Sequence, residues 1–316
     1  SAEDYLDALV ALLPQGVAYA ALAGMPLITG IYASIIPAAV AILFSPSPRL
    51  GVGPTALSAL LIGASLTGMA EPGSAQWVQL AAWMAILSGL VQAVLGMVRA
   101  GWLLNLVTSP VLAGFTQAAA LLILASQLPT LLGMRADWAT VWHSPSIYLF
   151  DWRSIAFGLS SMALLMVAKK WRPAFPSAIF IIALTGLVSW ATGFADSSGA
   201  VVGHLPAGLP HFQWPDLLDW DQFGALVMPV LVLSLVSFLE TASSAQVEHQ
   251  QAGTRWNENQ DLVAQGLSKV SAGLFGSFAT SASFSRSAVN LLAGAKTGYA
   301  NVFSILLVVE IGRAHV

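Results

Sequence analysis

With 57% hydrophobic and only 9% charged residues among its 316 and a mean hydropathy of +0.76, the chain lacks the charged surface, about a quarter of all residues, that keeps a soluble domain in water. A net charge of −3 leaves no basic face for nucleic acid, and the absence of cysteine removes disulfide frameworks and thiolate metal sites. The apolar residues fall in blocks of roughly twenty, the length at which a helix crosses a hydrocarbon core of about 30 Å, so the composition implies an all-α polytopic protein of the lipid bilayer.

Ser1-Ala2-Glu3-Asp4-Tyr5 is acidic, lacks the basic region of a cleavable signal peptide, and reads as an incomplete start. Apolar blocks then predict helices over 6–23, 27–44, 55–70, 77–98, 102–132, 153–168, 174–193, 222–245, 259–275, 284–296 and 298–309, about eleven segments of which several are too short to cross alone. The block 102–132 has room for a short helix before a full one, and Pro14-Gln15-Gly16 predicts an interruption in the first helix. If the N-terminus is cytoplasmic, the inner loops hold Arg49, Arg99, Lys169, Lys170, Arg172 and Arg255 and the outer ones only Arg135 and Arg153. That excess of cations favours the N-terminus inside. Trp77, Trp102, Trp138, Trp152, Trp171 and Trp190 lie at or near span ends, as expected of interfacial anchors.

Short or Gly/Pro-interrupted segments are how transporter folds set half-helix ends near the midplane, where unwound backbone is tolerated only along a cavity. Two stretches share that design. Arg49-Leu50-Gly51-Val52-Gly53-Pro54-Thr55 runs extended into 55–70, and Gly276 to Arg286, rich in Ser, Thr and Gly, runs extended into 284–296. As members of an inverted repeat, their helix N-termini would face each other, each offering unpaired amides and about half a positive charge to an anion.

Glu240 interrupts the apolar run 226–239. A carboxylate near the bilayer centre costs about 2.5–3.5 kcal/mol on insertion scales, so it is expected to face a cavity or partner, or else to sit close enough to the inner interface to snorkel. Arg286, among Ser283, Ser285 and Ser287, brings a planar donor fork to the second half-helix start and is either an anion ligand or the counter-ion of Glu240. Gln15 and Tyr19 lie four apart on one helix face, where Gln15 either donates to a substrate oxygen or satisfies freed backbone. Lys269 is a second interior cation that snorkels or pairs with a carboxylate. His143, His204, His211, His249 and His315 show no metal-ligand spacing, and neither GxxxxGK[ST] nor GxSxG occurs. No metal, no cofactor and no enzyme activity is therefore expected.

Pro14-Gln15-Gly16-Val17-Ala18-Tyr19, Gly30-Ile31-Tyr32-Ala33-Ser34 and Gly51-Val52-Gly53-Pro54-Thr55-Ala56 in the first half closely resemble the SulP, or sulfate permease, family of anion transporters. So do Asn257-Glu258-Asn259-Gln260-Asp261, Ser283-Phe284-Ser285-Arg286-Ser287 and Ala293-Gly294-Ala295-Lys296-Thr297 in the second half. The resemblance implies fourteen membrane segments in two inverted seven-segment repeats, arranged as a core domain that carries the anion and a gate domain, with two half-helices preceded by short extended strands. It assigns 1–221 to the first repeat (segments 1–7) and 222–309 to an incomplete second repeat (segments 8–11). Three further segments and a cytoplasmic STAS domain are expected beyond this chain, and 310–316 resembles a non-native tail. Gln15, Tyr19, Thr55, Phe284, Ser285 and Arg286 then line the anion site, and Glu240 takes an acidic position tied to cation coupling. A Glu there resembles proton-coupled members, whereas sodium-coupled bicarbonate members tend to carry Asp. The implied function is proton-coupled sulfate uptake by a secondary active transporter of the bacterial inner membrane. Bicarbonate or a dicarboxylate as substrate, or a passive anion channel, is the alternative. The implied partners are a small anion, a proton, the bilayer and, as in relatives, a second copy forming a homodimer.

Overall fold

The computed structural model describes residues 15–106, parts of 110–134 (110, 114, 117–118, 121, 124–125, 128–129 and 131–134), 151–171, 177–194, 208–292, 295 and 297–314. Pro14, Arg135, Trp138, His143, Arg172, Asp196, His204, Lys296 and His315 lie outside those residues.

Helix α1 covers 15–22 of the described chain and includes Gln15 and Gly16, Pro14 lying outside the described residues; the chain then turns at 23–26, between the expected helices 6–23 and 27–44. At that point Gly24 takes the left-handed conformation (φ +67°), and the Trp77 indole lies close over it. The turn frees the carbonyl of Ala23, to which Trp77 Nε1 donates at 2.9 Å. Trp77 is consequently 1% exposed and is not an interfacial anchor, because the indole N–H must find a partner wherever the ring is buried. Trp102, Trp152, Trp171 and Trp190 do project from the surface.

The apolar block 27–44 is two helices rather than one, α2 (Ile28–Tyr32) and α3 (Ile36–Phe44), the second restarting with proline in its first turn. Proline has no amide to give to a preceding turn, but its locked φ suits a helix start. An extended segment follows with β1 (Val52–Gly53), then α4 (Ala56–Leu66), α5 (Ala75–Met97) and a 3₁₀ turn at Ala100–Leu106. Next come α6 (Trp152–Trp171), α7 (Ser177–Ala191), α8 (Trp220–Ala252), α9 (Glu258–Leu274), β2 (Ser281–Ala282), α10 (Phe284–Leu292) and α11 (Tyr299–Ala314). At about 50 Å, α8 is longer than the bilayer core is thick, and it runs past the apolar block into Gln246–Ala252 before Gly253 closes it. At about 13–17 Å, α4 and α10 reach only half-way.

Among the described residues, α5 and α8 are long and apolar enough to cross a membrane. Leu187, Met228, Leu231 and Leu235 are among the large apolar side chains left exposed, as expected of surfaces covered by lipid tails. The chain forms two compact units, one built from α6, α7 and the described residues of 117–134, the other from 15–106 together with 208–314. The second has a core of Ala20, Ala23, Ile62, Trp77, Leu80, Met84, Leu233 and Phe278. This split by compactness leaves the boundary between sequence repeats at 221 untested.

Within the second unit, α5 and α9 pack closely. A Cβ on Gly89 would stand 2.6 Å from the carbonyl oxygen of Gly266, and one on Gly266 would stand 2.5 Å from that of Gly89. Gly96 meets Asn259 O and Gly273 meets Ala82 O in the same way. The glycines are seven residues apart on each helix and so share one face, the small-residue packing that apolar helices use when lipid offers no competing hydrophobic drive. Gly266→Leu is expected to force the helices apart and cost about 1–3 kcal/mol, lowering the melting temperature in detergent. Leu90→Ala, on the exposed side of α5, should leave it nearly unchanged.

Candidate functional site

β1 and β2 pair antiparallel, Val52 opposite Ala282 and Gly53 opposite Ser281. Ser283 N donates to Gly51 O at 2.8 Å, and Gly51 N donates to Ser287 Oγ at 3.0 Å. Since α4 starts just after β1 and α10 just after β2, this short ladder brings two helix N-termini to one place. Each helix leaves its first amides without an intrahelical acceptor. At α4 one of them, Ser58 N, goes to the Oγ1 of the N-cap residue Thr55 at 3.3 Å.

Thr55 is buried, and the same hydroxyl donates to Glu240 Oε2 at 3.2 Å. On the same helix as Glu240, the Ser237 hydroxyl donates to Ser281 Oγ of β2 at 2.9 Å. The acid on α8 is thereby held at the start of α4, and with 4% exposure it does not snorkel.

Arg286 is 8% exposed, and its guanidinium turns across the ladder rather than towards Glu240. Nη1 donates to Val52 O and Nη2 to Pro54 O, both at 3.4 Å, while the buried Nε has no hydrogen-bond partner. The one ion pair among the described residues is Arg49 with Glu248, at 4.0 Å, so Arg286 is not the contact counter-ion of Glu240. Gly53 lies flush against the guanidinium, where any Cβ would collide with its outer atoms, whereas a Cβ on Gly51 would stand 2.5 Å from Arg286 Cβ and 3.2 Å from its backbone.

Gln15 Nε2 donates to Tyr19 Oη at 2.8 Å. Phe284, at the start of α10, is 40% exposed. Ser285 belongs to the first turn of α10, and its side chain is outside the described atoms. Thr55 with Glu240, and Gln15 with Tyr19, are therefore in direct contact, and Arg286 is joined to the backbone that leads to Thr55.

Two hydroxyls escaped the sequence reading. Ser58 Oγ and Ser244 Oγ are buried without a hydrogen-bond partner. The signal for them was spacing, Ser58 three residues beyond Thr55 and Ser244 four beyond Glu240, each on the same helix face as its neighbour. Lys269 neither snorkels nor touches a carboxylate. It is wholly buried and donates to Gln92 Oε1 at 3.0 Å. Asp261 serves the frame: its oxygens accept from Ser45 and Ser47 at 2.5 Å and from Trp256 Nε1 at 2.6 Å, tying the start of α9 to the chain that enters β1.

The sequence matches the profile described as the sulfate permease family over residues 6–312. It is 33% identical over 305 residues to the Mycobacterium tuberculosis protein "Probable sulfate transporter MT1781", covering 94% of this chain and 54% of that one. It is 32% identical over 317 residues to the Arabidopsis thaliana "Probable sulfate transporter 4.2", covering 95% and 46%. The chain thus spans about half the length of these curated relatives, which are named as transporters and not as enzymes. Its fold is that of murine Solute Carrier 26 family member A9, an anion transporter solved in the inward-facing state, with TM-score 0.86, 19% identity and coverage of 98% and 55%. The transmembrane domain of the cyanobacterial bicarbonate transporter BicA gives TM-score 0.85, 21% identity and coverage of 99% and 82%. These likenesses identify an all-α inverted-repeat transporter fold with core and gate domains and two strand-led half-helices, in an integral membrane protein. The chain belongs to the sulfate permease family.

Proposed function

We propose that this chain carries the anion site of a secondary active transporter for proton-coupled sulfate uptake. The observation that supports it most is the β1–β2 ladder, which brings two sets of helix-start amides, two partial positive charges and the Arg286 guanidinium to one point inside the bilayer. Thr55, Phe284, Ser285 and Arg286 contribute the half-helix side of the site, and Gln15 and Tyr19 wall it from α1. Glu240 is the coupling acid, since its link to Thr55 connects its protonation to the N-terminus that faces the anion. Moving an elementary charge against 100 mV costs about 2.3 kcal/mol, so inward movement of a dianion against an inside-negative potential needs more than one proton or a steep gradient.

The likeness to a structure titled as a bicarbonate transporter supports bicarbonate as a second reading of the same site, because helix-start amides select charge rather than sulfur. The Mycobacterium and Arabidopsis relatives, named for sulfate, support sulfate first.

In proteoliposomes, labelled sulfate should accumulate under an inward proton gradient, and Glu240→Gln should abolish that accumulation while leaving the protein folded. Entry of bicarbonate and not of sulfate would keep the site and change the substrate, and flux indifferent to the proton gradient would remove the coupling. A separate outcome follows from the ladder. Because the atoms that a Cβ on Gly53 would strike are the far end of the Arg286 side chain, Gly53→Ala should keep the fold yet displace the guanidinium and weaken sulfate binding about tenfold, or about 1.4 kcal/mol. Gly51→Ala, pressed against Arg286 backbone, should instead lower thermal stability.

A further inference from the structure

Gln265 on α9 is 1% exposed, yet neither its amide nitrogen nor its amide oxygen has a hydrogen-bond partner in the protein. Buried polar atoms that protein groups leave unmet are met by ordered water, because a donor or acceptor left open in the interior is costly. Ser244 Oγ and Glu248 Oε2 on α8 are in the same state, in residues 4% and 2% exposed.

The extended chain that enters α4 places these atoms together. It runs along α8, with Arg49 N donating to Glu248 Oε1 at 3.0 Å and, further on, Thr55 Oγ1 donating to Glu240 Oε2 at 3.2 Å. Ser244 lies half-way between the two acids on the face that it shares with them. The same chain touches α9, where Ser47 Oγ donates to Asp261 Oδ2, and Gln265 follows one turn later on that face. Two ties join α8 to α9 there. Ser47 Oγ meets both His249 Nε2, at 3.1 Å, and Asp261, while the adjacent Thr280 and Ser281 meet Ser268 of α9 and Ser237 of α8. Ser244 and Gln265 both fall between those ties. The core beside that interval is Ala41, Leu50, Val52, Ala245 and Ala282, none of which has a polar side-chain atom. The charged groups around it are engaged elsewhere: Lys269 with Gln92, Arg286 with Val52 O and Pro54 O, Arg49 with Glu248, His249 with Ser47 and Thr254, and Asp261 with Ser45, Ser47 and Trp256.

We infer that Ser244 and Gln265 hold buried water between α8 and α9, and that this water is the path by which the proton of Glu240 travels to and from Glu248. Glu248 lies beyond the apolar run of α8, beside Arg49, whose side chain is 22% exposed, and so marks the surface end of the path. In the outward step the Glu240 carboxyl gives its proton to the water, which passes one on to Glu248 Oε2. Glu248 Oε1 keeps its bond from Arg49 N throughout. Ser244 and Gln265 are positioning residues, since their hydroxyl and amide orient the water without gaining or losing a proton overall. This inference rests on the coupling role proposed for Glu240.

The experiment compares wild type, Ser244→Ala and Gln265→Leu in proteoliposomes, by proton-driven net sulfate uptake and by sulfate–sulfate exchange at equal pH on both sides. Exchange returns the carrier loaded, so it needs no release of the proton, whereas net uptake does. Gln265→Leu should lower net uptake about tenfold or more and Ser244→Ala by less, with exchange within about twofold of wild type in both. Equal losses in uptake and exchange, or no loss in either variant, would overturn the path. Ser244→Ala removes a single atom and carries the comparison if Gln265→Leu does not fold. The water itself is tested by an experimental structure of the wild type at a resolution that shows ordered solvent. Density within hydrogen-bond distance of both the Gln265 amide and Ser244 Oγ is expected, and a dry interval or a protein partner for Gln265 would overturn the inference whatever ion is transported. Water in place with wild-type uptake indifferent to the proton gradient would overturn the coupling role of Glu240, and the proton path with it.

Discussion

Two pairs of residues, Val52 with Ala282 and Gly53 with Ser281, hold together what would otherwise be two broken helices within a membrane. Backbone amides and carbonyls cannot be left open at that depth, and a helix that stops half-way exposes several of each. The ladder satisfies some of them, and side chains take others nearby: Ser287 accepts from Gly51 N, Asn290 Nδ2 donates to Arg49 O at 3.0 Å, and Asn301 donates to the carbonyls of Pro48 and Leu50. The half-helices α4 and α10, the guanidinium of Arg286 and the carboxyl of Glu240 all take their positions from this crossing.

The interior charges follow a consistent pattern. Glu240 is met by the Thr55 hydroxyl, Arg286 by two backbone carbonyls and Lys269 by an amide oxygen. None is closed off in a contact ion pair. A tight pair would cancel its own field and would have to be broken before either member could serve a ligand. Dipoles that hold a charge in place without neutralising it leave that charge free to act at a distance, as an anion site between helix ends requires. The Asp261 cluster is different in kind. Three donors converge on one carboxylate, and its effect is mechanical, fastening the segment that enters β1 to the corner between α8 and α9.

Much of the frame could be read along the chain. Long apolar blocks specify helices that cross, and glycine, proline and serine before a short apolar run specify a strand-led half-helix, because both depend on neighbours in sequence. The same local logic misplaced other features. The block 27–44 looked continuous because apolarity does not report where a helix restarts. Trp77 sits at a span end like its exposed counterparts, and only its contact with Ala23 distinguishes it.

From residue order alone come the membrane, the two half-helices, the charged candidates Glu240 and Arg286, and the family. Each is carried by composition or by a run of adjacent residues. Packing alone determines which groups meet. Thr55 and Glu240 are 185 residues apart, Arg286 and Val52 are 234 apart, and Lys269 and Gln92 are 177 apart. No periodicity links positions so distant. Their partners are chosen by the close approach of α5 to α9 and by the register of a two-residue ladder, and both are properties of the folded chain.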